Sequence, residues 1–211
     1  MTEAFQEPVD EAADRKRTDA AELPRGSVVA VLLNQHAWIR KLFAETTSAH
    51  GTERQTAFDT LRTLLAIHEA GEEIVVRPIS KKTADGSIAQ ALNAEEKDAA
   101  ALLAQIEKLD VDSAEFEHKL AALEKDVSQH AEHEEREEFP YLLATLDEER
   151  QLKLGTRLVG VEQNSPSHPH PSVAGSTVKQ VAVGPFAALL DEARDAFTIP
   201  NEDDRTSLSP H

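Results

Sequence analysis

Four stretches of the chain carry apolar residues three and four positions apart, and each of these seams is broken only by His and Glu. Such spacing puts the residues on one face of an α-helix, the face that packs against other helices. The first seam reads Val29, Leu32, His36, Ile39, Phe43, and the second Phe58, Leu61, Leu65, His68, Glu72, Val75. The third reads Leu92, Glu96, Ala99, Leu103, Ile106, and the fourth Phe116, Leu120, Leu123, Val127, His130, Glu134, Tyr141. Strand signals and internal repeats are lacking. The expectation is an all-α chain built as an up-down four-helix bundle.

The heights of the polar positions agree with that fold. In an up-down bundle, residues at one level on neighbouring helices mirror about the connecting turn. The midpoint of His36 and His68 falls on Gly51–Thr52, that of Glu72 and Glu96 in Thr83–Gly86, and that of Glu96 and His130 at Ser113. Each is a turn signal. All four seams therefore bring their polar residues into one layer.

Caps and breakers bound the helices. Ser27 and Ser113 are the expected N-caps of the first and fourth. The second is expected to stop at Pro78, the third to end near Leu109, and the fourth to be kinked or shortened at Pro140. A further helical piece, Asp147 to Leu158, is expected to pack on the bundle. Residues 1–24 are charged and read as a disordered tail, 25–160 as the bundle, and 161–183 as a Pro- and His-rich linker. Residues 184–211 read as a short amphipathic helix and tail, with Phe186, Leu189, Leu190 and Phe197 on one side as a surface for docking on the bundle or for a protein partner.

Composition narrows the chemistry. Cysteine is absent, which removes disulfides, thiol catalysis and Cys-ligated metals. A net charge of −17 disfavours nucleic acid and anionic membranes as partners. Residues Met1 to Leu23 lack the apolar core of a signal peptide, and no apolar run approaches a membrane span, so a cytoplasmic location is expected.

Three histidines and three glutamates converging in a core layer need compensating charge, because an unpaired buried carboxylate costs several kcal/mol. Metal cations supply it. His68 and Glu72 stand at i and i+4, as do His130 and Glu134, so each pair reaches from one face of one helix. Imidazole with carboxylate suits iron, manganese or zinc. The candidate ligands are His36, His68, Glu72, Glu96, His130 and Glu134.

These residues also carry a resemblance. Leu33-Asn34-Gln35-His36, His68-Glu69-Ala70-Gly71-Glu72-Glu73, and His130-Ala131-Glu132-His133-Glu134-Glu135 running into Phe139-Pro140 together resemble the hemerythrin-like HHE cation-binding family. The likeness spans residues 27–145. It implies two oxygen-bridged non-haem iron ions inside the bundle, with His36, His68 and His130 as terminal ligands and Glu72 and Glu134 as bridges. The third helix departs from the family by lacking histidine. Glu96 holds the inward position there and is the assigned substitute, with Glu95 as the alternative and Lys97 as a cation in the ligand's place.

The functional expectation is a di-iron protein that handles or senses peroxide, oxygen or nitric oxide, a role linked to oxidative stress. The alternatives are a non-enzymatic iron- or oxygen-binding or partner-binding module and a structural bundle with a degenerate site. His133, Glu69 and Glu73 read as flanking groups, His50 and His118 as solvated. The acidic run Glu132–Glu138, apart from Glu134, reads as a solvated helix face.

Overall fold

Ser27 opens the first helix as its spacing requires: its side chain accepts the amide of Ala30 at 3.4 Å, and helix α1 runs Val28–Ser48. The computed structural model describes residues 18–82 and 86–162, and every statement on structure concerns these. Helix α2 is Gly51–Gly71; a π-helical segment, Glu72–Val76, and a short helix α3, Arg77–Ser80, continue it. Helix α4 is Ser87–Ile106. Helix α5, Ala114–His133, is capped by Ser113, whose hydroxyl accepts the amide of Phe116 at 3.1 Å. It passes through a second π-helical segment, Glu134–Glu138, into α6, Phe139–Thr145. Helix α7, Glu148–Glu162, follows.

The seams pack as the periodicity requires, with α1 against α2 and α5, and α4 against α5. All regular secondary structure among the described residues is helical, without strands. Two apolar clusters form. One gathers Ile39, Phe43, Phe58, Leu61, Leu65, Leu103, Ile106, Phe116 and Leu123. The other gathers Val29, Leu32, Val75, Val76, Phe139, Leu142 and Leu158. The polar layer lies between the two along the first, second and fourth seams, so it is flanked by apolar core on both sides.

The first cluster is closed by a tied pair of turns. Gly51 takes φ +55°, a conformation favouring glycine, and its amide donates to Asp112 at 3.0 Å. Buried Arg54 donates to the carbonyls of Ala49 at 2.6 Å and Val111 at 3.0 Å, joining the α1–α2 turn to the α4–α5 turn.

Pro78 acts differently from expectation. The second helix does not stop at Pro78; it continues to Ser80, and the fourth continues past Pro140 to Thr145. A proline lacks the N–H that would bond four residues back, and its ring crowds that carbonyl. Here the residue before each proline bonds five back instead: Arg77 N–H to the Glu72 carbonyl, and Phe139 N–H to the Glu134 carbonyl. The ladder widens into a π turn and the helix survives.

Within the stretch read as a tail, residues 18–21 are helical, and Ala20 is buried in the second cluster. The third helix ends at Ile106 rather than near Leu109. The chain divides into two compact units, Met1–Ser176 and Thr177–His211, and all described residues belong to the first. The expected linker and C-terminal amphipathic helix, with its partner surface, lie outside the described residues. No described helix is long and apolar enough to cross a membrane.

Helix α7 makes a close backbone approach: a Cβ at Gly155 would meet the Gly26 carbonyl oxygen at 1.9 Å, whereas one at Gly160 would meet nothing within 4 Å. Gly155→Ala should therefore destabilise the fold by about 1–3 kcal/mol through overpacking. Gly160→Ala should be neutral or stabilising by up to about 1 kcal/mol from helix propensity. Urea titration of both variants checks the opposite signs; equal effects would mean that α7 does not dock through Gly155.

Candidate metal centre

Each seam histidine is held by its Nδ1 and aims its Nε2 inward. His36 Nδ1 pairs with Glu135 at 2.8 Å, His68 Nδ1 with the Gln35 amide oxygen at 2.8 Å, and His130 Nδ1 with Glu95 at 2.9 Å. With Nδ1–H donating to an oxygen, Nε2 keeps its lone pair for a metal, a supporting arrangement common to metal-binding imidazoles. The His36 ring is further fixed edge-on to His68 at 5.1 Å and stacked on Phe139 at 5.5 Å.

The carboxylates meet these nitrogens. Glu134 lies between two histidines, with Oε2 3.3 Å from His36 Nε2 and Oε1 3.2 Å from His130 Nε2. Glu72 Oε2 is 3.6 Å from His68 Nε2. His36, Glu72 and Glu134 are fully enclosed, at 2%, 0% and 0% exposure, so no solvent satisfies them. His36 Nε2, His130 Nε2, both oxygens of Glu72 and Glu134 Oε2 have no hydrogen-bond partner. Orphaned buried groups of this kind are costly.

Two sets of ligand atoms lie within 4.8 Å of one another: His36, His68, Glu72 and Glu134, and then Glu72, Glu96, His130 and Glu134. All six candidate ligands are in these sets, and Glu72 and Glu134 belong to both. The orphaned nitrogens and oxygens, with a mixed imidazole and carboxylate donor set, fit an iron-type cation.

The matching family is the one described as Hemerythrin HHE cation binding domain, and the match covers residues 27–142. The chain belongs to that family. A hemerythrin fold is also what the structural comparison gives. The chain is similar to the crystal structure of a hemerythrin HHE cation binding domain-containing protein, the Rv2633c homolog from Mycobacterium kansasii. They share 21% identity with a TM-score of 0.59, over 65% of this chain and 86% of that one. No curated protein matches the chain. As a hemerythrin HHE domain, this protein binds cations.

Within this hemerythrin layer lies a group that helical periodicity alone does not reveal. Arg77 is fully buried, and its guanidinium reaches four carboxylates. Nη2 donates to Glu134 Oε1 at 2.7 Å and to Glu96 Oε1, and lies 3.6 Å from Glu72 Oε2. Nε donates to Glu96 Oε1 at 3.1 Å, and Nη1 donates to Glu138 Oε2. Lys97, considered as a cation for this place, is exposed; Arg77 takes the role.

Five residues of α-helix turn through about 500°, which would carry Arg77 off the face of Glu72. The π turn closes a bond between residues five apart and stacks Arg77 over Glu72, as it stacks Phe139 over Glu134. A signal did exist in the sequence. After His68 and after His130 alike, Glu stands at +4 and +5 and Pro at +10.

The acidic run also differs from its reading as a solvated face. Glu138 is buried on Arg77, and Glu135 is half-buried on His36, with Arg40 3.6 Å away. Glu95 bridges Nδ1 of His130 and Nδ1 of His133, both at 2.9 Å, so it orients a candidate ligand through Nδ1.

Without a cation the layer holds protons. For His36, burial lowers the pKa, but Glu134 and Glu135 outweigh it and raise it. Burial likewise opposes charge on His130, yet Glu134, Glu95 and Glu96 raise it to about 9. Burial, with the nearby Glu134 charge, pushes Glu72 well above the ordinary carboxylate range. Burial keeps His68 neutral, at about 3. A metal bound in this layer would displace the protons on His36, His130 and Glu72, so apparent affinity should rise with pH between 6 and 9. Calorimetry in buffers of different ionisation enthalpy should show protons released on binding. Affinity independent of pH would contradict the arrangement.

Proposed function

We propose that this hemerythrin domain holds two non-haem iron ions and handles or senses a small oxidant or diatomic molecule: peroxide, oxygen or nitric oxide. His36, His68 and His130 are the terminal ligands, Glu72 and Glu134 the bridges, and Glu96 the ligand from α4. The observation that carries the reading is Glu134, which directs Oε2 toward His36 and Oε1 toward His130, one oxygen to each half of the layer. A carboxylate so placed serves two ions, as in other di-iron bundles.

A cavity supports the small ligand. It has a volume of ≈ 30 Å³ and is lined by His36, His68, His130, Glu69, Arg40 and apolar side chains including Phe43. That is room for roughly two water-sized molecules, enough for a peroxide or a diatomic and too little for an organic substrate. Arg40 Nη1 is buried there without a partner, a donor for a polar ligand. Burial raises the half-buried Glu69 carboxyl to about 7, so it can hold a proton beside the cavity near neutral pH. Bound iron would supply the redox chemistry. The chain itself orients the imidazoles, excludes bulk water through Phe43 and Phe139, and positions Glu69 and Arg40 at the cavity.

His68→Ala and His130→Ala each remove a neutral ligand and leave the carboxylates buried. Wild-type protein loaded anaerobically with iron(II) should carry about two ions per chain, by their bridging. Each variant should lose metal and melt below the loaded wild type. Metal analysis with thermal melts checks this. Unchanged metal content in both variants would refute the ligand assignment, and turnover assays with peroxide and nitric oxide separate consumption from sensing.

A further inference from the structure

Four carboxylates surround one guanidinium in the layer, and they are not shared evenly between its halves. Glu134 Oε1 and Glu96 Oε1, the oxygens that Arg77 Nη2 engages, face His130 Nε2 at 3.2 and 3.8 Å. In the half formed by His36, His68, Glu72 and Glu134, Arg77 lies 3.6 Å from Glu72 Oε2 and does not engage Glu134 Oε2, the oxygen that faces His36. Arg77 thus stands in the coordination space of the His130 half and beside that of the other.

We infer that Arg77 is a built-in competitor for the second metal ion, so that the two halves of the centre load in sequence and with unequal affinity. The inference rests on the dinuclear reading above. A first ion enters among His36, His68, Glu72 and Glu134 without disturbing the guanidinium's bonds to Glu96 and Glu138. A second ion needs Glu96 Oε1 and Glu134 Oε1, which Arg77 must surrender.

The structure holds a place for the arginine to go. Glu138 is 1% exposed and already accepts from Arg77 Nη1 through Oε2, while its Oε1 is buried without a partner. Turning onto both oxygens of Glu138 gives the guanidinium a two-pronged carboxylate pair in exchange for the contacts it leaves. Glu138 is therefore a positioning residue that acts through Arg77 and holds no metal. In the metal-free protein the arginine offsets part of the buried negative charge, and the half-loaded protein is a populated state.

The test is anaerobic titration with iron(II), followed by metal analysis after gel filtration and by thermal melts, on wild type, Arg77→Gln, Arg77→Lys and Glu138→Gln. Wild type should bind two ions in separate steps, the second at least 100-fold weaker. Arg77→Gln should narrow that gap tenfold or more while lowering the melting temperature of the metal-free protein, and Arg77→Lys should fall between. Glu138→Gln, an isosteric change, should act oppositely and widen the gap, because it removes the acceptor to which Arg77 retreats. A structural role alone would not give opposite signs at Arg77 and Glu138. Two equal steps in wild type, or a gap unchanged in every variant, would overturn the inference and leave the dinuclear reading standing. One ion in wild type and in all variants would overturn both.

Discussion

Everything in this bundle follows from placing anionic side chains where water cannot reach them. Glu72 and Glu134 have no exposure, Glu138 has 1%, and all lie in a layer with apolar core on either side. Uncompensated, that layer would oppose folding, since each buried charge costs several kcal/mol. Arg77 and the protons on His36 and His130 offset part of it; a cation bound there would offset more. A cation held in this layer, as the proposed function has it, would relieve an electrostatic cost of the core.

The histidines show how such a layer is made specific. Gln35, Glu95 and Glu135 each accept from a histidine Nδ1, and each stands in sequence beside a residue of the inner set: Gln35 next to His36, Glu95 next to Glu96, Glu135 next to Glu134. A helix turns about 100° per residue, so neighbours of an inward ligand lean toward the adjacent helix. Gln35 crosses from α1 to His68 on α2, and Glu95 from α4 to His130 on α5. Support for one helix's histidine is carried by the next helix, so the orientation of the imidazoles and helix packing are set together.

Much of this is legible in the sequence, for a stated reason. Regular helices have one period, and the seams from Val29 to Phe43 and from Phe58 to Glu72 obey it, so their buried faces and the level of His36 and His68 can be read directly. Ser27 and Ser113 are legible because capping chemistry is local. The reading fails where the period changes. Beyond Glu72 and Glu134 the π turns shift the face by about one residue, which brings in Arg77, Phe139 and Glu138 and lets the helices run on through the exposed Pro78 and Pro140. Contacts by long side chains across helices, such as Glu95 to His133, depend on rotamers that spacing does not specify.

The central claim is that the His and Glu layer is where metal sits. Anomalous diffraction at the iron edge, from crystals of the iron-loaded protein, tests it most directly. One peak is expected among His36 Nε2, His68 Nε2, Glu72 and Glu134, and a second beside His130 Nε2 and Glu96. Iron signal absent from this layer in crystals shown by fluorescence to contain iron, or confined to surface carboxylates, would contradict it.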